Sequence, residues 1–118
     1  MRILSLFLLL LVPLRTVIAD DPYLFILGIA QDAGYPQAGC YRPHCLPGWA
    51  NTELRRLAVS VAAIDPASGT KYLFDATPDL PEQLYRLHRE APDERFTLNG
   101  VFLTHAHIGH YAGLMYLG

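Results

Sequence analysis

The stretch "FLTHAHIGHYAG", residues 102–113, sets three histidines within six residues, at the passage from an apolar run into a glycine-containing segment. In an extended chain, side chains two apart point the same way. His105 and His107, at the end of "GVFLTH", are therefore expected to project together beyond the edge of a sheet. A turn at Gly109 and a helix through "GHYAGLMYLG" would bring His110 round to the same space. Imidazole is a good ligand for a borderline divalent ion such as zinc, and H-x-H-x-x-H spacing on a rigid strand end suits one or two Zn2+ ions. A helix N-terminus close by would favour a bound anion, such as hydroxide or a substrate carboxylate. The plain alternative is three polar loop residues. Three of the chain's five histidines lie in this one stretch, which argues against it.

The chain has 118 residues, 17% of them charged, and a net charge of -2. That balance offers no electrostatic footprint for nucleic acid or for an acidic membrane surface. Hydrophobic residues make up 52%, a figure raised by the opening "MRILSLFLLLLVPLRTVIAD". Arg2, an apolar run over residues 3–12, the breaker Pro13 and the small Val17 and Ala19 have the layout of a secretory signal. The run falls short of the roughly 20 apolar residues that span a bilayer. Residues 1–19 are therefore expected to be a cleaved signal peptide. Residues 20–118 then form one small exported domain, periplasmic or secreted, with no membrane contact after cleavage. An uncleaved N-terminal anchor is the alternative. An exported chain meets oxidising conditions. Cys40 and Cys45 in "GCYRPHC" thus close a short disulfide loop or, with His44 as a third ligand, bind a metal. Structural zinc sites usually draw four ligands from two separated pairs.

Outward from the histidines, "YLFILGIA" (residues 23–30) has the length and composition of a strand buried on both faces. Residues 31–49, rich in glycine and proline and holding both cysteines, are expected to be a long ordered loop without regular structure. "RLAVSVAAID" and "KYLFDAT" read as an antiparallel hairpin turned at "DPASG". In "PDLPEQLYRLHREA", Asp79 is expected to cap a helix with Pro81 in its first turn. Leu80, Leu84 and Leu87 would form its apolar stripe, Glu82 and Arg86 a solvated pair, and His88 a surface residue. "GVFLTH" reads as a buried strand and "GHYAGLMYLG" as a helix barely begun. The layout is mixed α/β. The expectation is the N-terminal part of a longer protein, because such a short domain with an unfinished layer has little core.

"THAHIGH" resembles the T-H-x-H-x-D-H signature of the metallo-β-lactamase-fold hydrolases, and "YLFDAT" resembles the strand-end aspartate segment that precedes it. "GIAQDAGYPQAGCYRPHC" further resembles the branch around coenzyme PQQ synthesis protein B. The resemblance implies an incomplete αββα sandwich, of which this chain is the N-terminal half. It makes His105 and His107 ligands of a first metal, His110 a ligand of a second, and Asp75 the carboxylate that orients the site from the strand end. Gly109 departs from the pattern, standing where the family has an aspartate; Asp32 is the candidate substitute. Further ligands would come from a C-terminal half. The implied activity is an exported Zn2+-dependent hydrolase acting on an ester, amide or phosphoester of a small-molecule substrate, the 118-residue chain alone being inactive. The alternative is a degenerate secreted binding or accessory protein of the same fold.

Overall fold

Residues 60–74 carry the pattern from which the sheet is built. In "SVAAID", Ser60, Ala62 and Ile64 are buried while the residues between them are half-open. This two-residue period belongs to a strand with one covered face. The structure, a computed structural model, describes residues 21–118; the expected signal segment lies outside the described residues. Strands β1 (Tyr23–Gly28), β2 (Ser60–Asp65), β3 (Thr70–Phe74) and β4 (Gly100–Phe102) form one sheet in that order. β1 with β2 and β2 with β3 pair antiparallel, as the hairpin pattern predicts, with Val61 opposite Phe74 and Asp65 opposite Thr70. Asp65 shapes the turn by accepting from the Ala67 amide and the Ser68 hydroxyl. β3 and β4 run parallel. They are joined through helix α2 (Leu80–Glu90), the crossover that parallel pairing requires.

α2 covers one face of the sheet. Leu80 and Leu87 are fully buried and Leu84 partly so, packed with Leu27, Ala62, Ile64 and Leu73. Glu82 and Arg86 pair on the solvated side at 2.9 Å. Asp79 takes the N-cap position as expected, but its side chain makes no cap bond: its Oδ2 accepts the Ala58 amide at 2.8 Å. That contact stitches the helix start to the segment entering β2. Gln83, buried within the helix, donates to the Ala58 carbonyl at 2.7 Å and accepts from the Thr77 hydroxyl. His88 is a partly open surface residue, as expected, edge-on to Phe96.

Three elements differ from expectation. β1 is covered on one face only: Leu24 is 69% and Ile26 63% exposed, so the apolar run marks two apolar faces of which the described residues bury one. The loop of residues 31–49 contains a short helix, α1 (Leu46–Ala50). Pro47 fits its first turn, where no amide is needed, and Trp49 Nε1 donates to the Cys40 carbonyl at 2.7 Å. β4 ends at Phe102, where its parallel pairing with β3 runs out, and not at His105. The following helix α3 (Ile108–Tyr111) is a single turn that continues as a 3-10 helix over Ala112–Leu117. Among the described residues no helix is long and apolar enough to cross a membrane.

Candidate metal centre

The site lies where β3 and β4, running side by side, both stop. Asp75 follows β3 directly with φ of 66°, a left-handed turn that aspartate tolerates better than most residues. Its amide donates to the Phe102 carbonyl at 2.8 Å, and the next amide, of Ala76, donates to the His110 carbonyl at 2.8 Å. The end of β3 therefore holds both sides of the histidine segment by backbone alone.

The Asp75 carboxylate completes the clamp. It is 5% exposed, accepts the Thr104 amide at 2.8 Å and the Thr104 hydroxyl at 2.8 Å, and meets His110 Nδ1 at 2.8 Å. Beyond Phe102 the chain bends, so strand alternation does not place His105 and His107. The fixed Thr104 and the start of α3 place them instead, with His107 at the helix N-cap. The expected convergence is nonetheless present. His105 Nε2 lies 3.0 Å from His107 Nδ1, and the His105 and His110 rings are 4.0 Å apart. Thr104 Oγ1 lies 2.9 Å from His105 Nδ1, which leaves Nε2 as the outward nitrogen of that ring.

Asp32 joins the cluster from the loop after β1, its Oδ1 3.2 Å from His110 Nε2. Gly109 is not the expected turn residue. It is buried inside α3, against the backbone of Asp32. α3 has four residues, too short for its N-terminus to serve as the anion site expected from the sequence. Cys40 and Cys45 form a disulfide. His44 Nε2 lies 3.8 Å from Cys40 Sγ, and the three side chains could converge on an ion, but bonded sulfurs are not thiolates and do not ligate zinc. Thr104 was missed by sequence reading. A hydroxyl residue just before the first histidine is its signal, and the contact to Asp75 across 29 positions gives it meaning.

Two ligands on one tetrahedral zinc stand about 3.3 Å apart at ordinary Zn–N lengths. The 3.0 Å between His105 and His107 is close to that separation. Their imidazoles, with a carboxylate fixing the third ring, match the donors zinc takes.

The electrostatics of the clamp follow from its contacts. Burial by itself would raise Asp75, but the Thr104 amide, His110 and the Thr104 hydroxyl outweigh it and hold the carboxyl below 3.8. The hydrogen bond to Asp75 lifts His110 above 6.5 against the opposing effect of burial, and Asp32 adds to the lift. Both shifts favour the charged pair. The contribution of His110 is complete below 6.5 and lost as pH rises through its raised pKa; that of Asp75 is complete above 3.8 and lost as pH falls through its lowered one. Metal-free protein is thus expected to melt at a lower temperature as pH rises beyond the His110 transition. His110→Gln should flatten that alkaline decline, as read by thermal melts from about pH 5 to about pH 9.

The sequence model of the Metallo-beta-lactamase superfamily matches residues 54–118, more than half of the chain, and the chain belongs to that superfamily. Within it, the chain is similar to coenzyme PQQ synthesis protein B of Methylobacterium sp. (strain 4-46), at 34% identity over 96 residues, 78% of this chain and 32% of that protein. Among solved structures it is similar to zinc-bound PqqB from Methylobacterium extorquens, with a TM-score of 0.68, 30% identity and coverage of 80% of this chain and 35% of that one. It is also similar to a diphosphatase from the PhnP family, with a TM-score of 0.63, 29% identity and coverage of 82% and 34%. The chain spans about a third of the length of the curated relatives it matches. The expected fold, a mixed α/β sheet matching metallo-β-lactamase-fold proteins over part of their length, is therefore observed.

Proposed function

We propose that this chain carries the histidine half of the metal centre of an exported metal-dependent hydrolase. The observation that supports it most is the meeting of His105 and His107 nitrogens at 3.0 Å beside a His110 ring anchored on Asp75. His105 and His107 hold the first ion, His110 contributes on its helical side, and Asp75 orients His110 and Thr104. Zinc bound there would lower the pKa of its water to about 7 and so supply hydroxide near neutrality. The protein's own part is to keep the rings in place and to manage two protons on His110. The Nδ1 proton stays in the hydrogen bond to Asp75. The proton on Nε2, shared with Asp32 in the metal-free protein, must leave before that nitrogen can ligate.

Next to the histidines lies an apolar cleft of about 520 Å³, lined by Ala33, Pro78, Ile108 and Ala112 together with Asp32 and His107. The cleft supports a small-molecule ester, amide or phosphoester that carries an apolar arm. Coenzyme PQQ synthesis remains a property of the named relatives. The disulfide supports export, since such bonds persist in oxidising compartments.

Metal analysis tests the proposal. Zinc-supplemented protein is expected to retain stoichiometric metal and to lose most of it on His105→Ala, with affinity falling at least about a hundredfold, because removing a direct ligand costs more than removing its support. A wild-type protein that keeps no transition metal, or a His105→Ala variant that keeps all of it, overturns the assignment. Chelator-sensitive turnover of an apolar ester separates a hydrolase from a binding protein of the same fold.

A further inference from the structure

We infer that Asp32 is the carboxylate ligand of this metal centre, delivered by the loop after β1, whose backbone packs tightly against Gly109. The inference rests on the proposed metal centre and adds a residue to it. A Cβ built on Gly109 would lie 3.0 Å from the Asp32 carbonyl oxygen and 3.2 Å from both its carbonyl carbon and its Cα. These are backbone atoms, which cannot swing aside as the end of a side chain can. Glycine at 109 thus lets α3 pack tightly on the loop, and a carboxylate there would have to push the loop backbone back by a few tenths of an ångström.

The loop supplies one in its stead. Asp32 has φ of 36°, close to the left-handed region that side-chain-bearing residues seldom occupy. Its Oδ1 thereby reaches His110 Nε2 at 3.2 Å, on the opposite edge of the ring from Asp75. The Asp75 carboxylate is enclosed behind the histidines by Thr104 and His110. The Asp32 side chain is 49% exposed and lines the cleft, so it also faces the open side of the cluster. Among the described residues these are the two carboxylates bonded to the histidine rings, and Asp32 is the one with an oxygen free to bind an ion. A negative oxygen next to neutral imidazoles also offsets the charge of a divalent cation.

The measurement is cobalt(II) titration of the full chain, read by affinity and by the visible ligand-field bands, for wild type, Asp32→Asn and Asp32→Gly. Asparagine tolerates the backbone conformation at position 32 and glycine adopts it freely, so at least one variant keeps the fold. Both variants are expected to bind cobalt at least about tenfold more weakly and with altered bands. If Asp32 only partners the metal-free His110, it competes with the ion; its removal then tightens binding or leaves it unchanged, with bands as in wild type, and the inference is overturned. Failure of the wild-type chain to bind cobalt would sink the proposed metal centre itself, a result distinct from either.

Discussion

Asp75→Ala is expected to unfold the histidine segment and abolish metal binding together. Asp75 is 5% exposed, and its loss leaves the Thr104 amide, the Thr104 hydroxyl and His110 Nδ1 without their acceptor. Breaking a buried charged pair by removing one partner costs about 3–5 kcal/mol. The left-handed backbone at Asp75, with φ of 66°, adds about 1 kcal/mol for alanine. Against a typical domain stability of about 5–15 kcal/mol, that is a large share. Asp75→Asn is the informative companion, because asparagine accepts the backbone conformation and still offers one carbonyl oxygen. It should recover part of the stability while metal affinity stays down about 10–100-fold, as for loss of a ligand's supporting carboxylate. Urea melts and zinc titration of the two variants give both quantities. Near-wild-type stability for Asp75→Ala would mean that the β3 end does not organise the histidines.

Gly28→Ala should be the most damaging change away from the site. A methyl group at Gly28 would overlap the Ala58 carbonyl oxygen and lie 2.7 Å from the Leu57 carbonyl oxygen, both backbone atoms. β1 crosses the segment entering β2 at this point, where the pairing register shifts between Ile26 and Gly28. Relief requires parting β1 from β2 and freeing the amides of Ile29 and Ala30 from the Leu57 carbonyl, which they reach at 3.1 and 2.9 Å. A loss above about 4 kcal/mol is expected, at the extreme of single-residue effects. The loop of residues 31–49 hangs from this crossing, so Asp32 should lose its position as well. Circular dichroism melts and cobalt titration report the two consequences; a variant that melts within a few degrees of wild type would contradict the overlap.

Local patterns were legible where one chemical reason acted alone. The hairpin of β2 and β3 followed from two strand-like runs joined at "DPASG", and α2 from its leucine spacing and the early Pro81. Residue type nominated His105, His107 and His110, and the resemblance of "YLFDAT" to the family's strand-end aspartate segment nominated Asp75. The reasoning for the first two was nevertheless incomplete. β4 stops at Phe102, so their convergence comes not from strand alternation but from Thr104 held on Asp75 and from the start of α3. Asp79 has a cap's composition and sequence position, yet its carboxylate serves Ala58, a partner 21 positions away that no local rule contains.

Short-range chemistry could be read along the chain because its partners are a few residues apart: the "DPASG" turn between β2 and β3, the helical stripe of α2, and histidine as a zinc-type donor. Only the folded molecule decided that Asp75, Thr104, His110 and Asp32 form one cluster, since Asp32 meets His110 across 78 positions and Asp75 meets it across 35. The meaning of Gly109 was settled the same way. Along the chain it is a glycine where a carboxylate was expected; in space it is the gap into which the backbone of Asp32 fits. Contacts of that range depend on which backbones the parallel β3–β4 pair and the folded-back loop bring within van der Waals reach, and no spacing along the sequence encodes them.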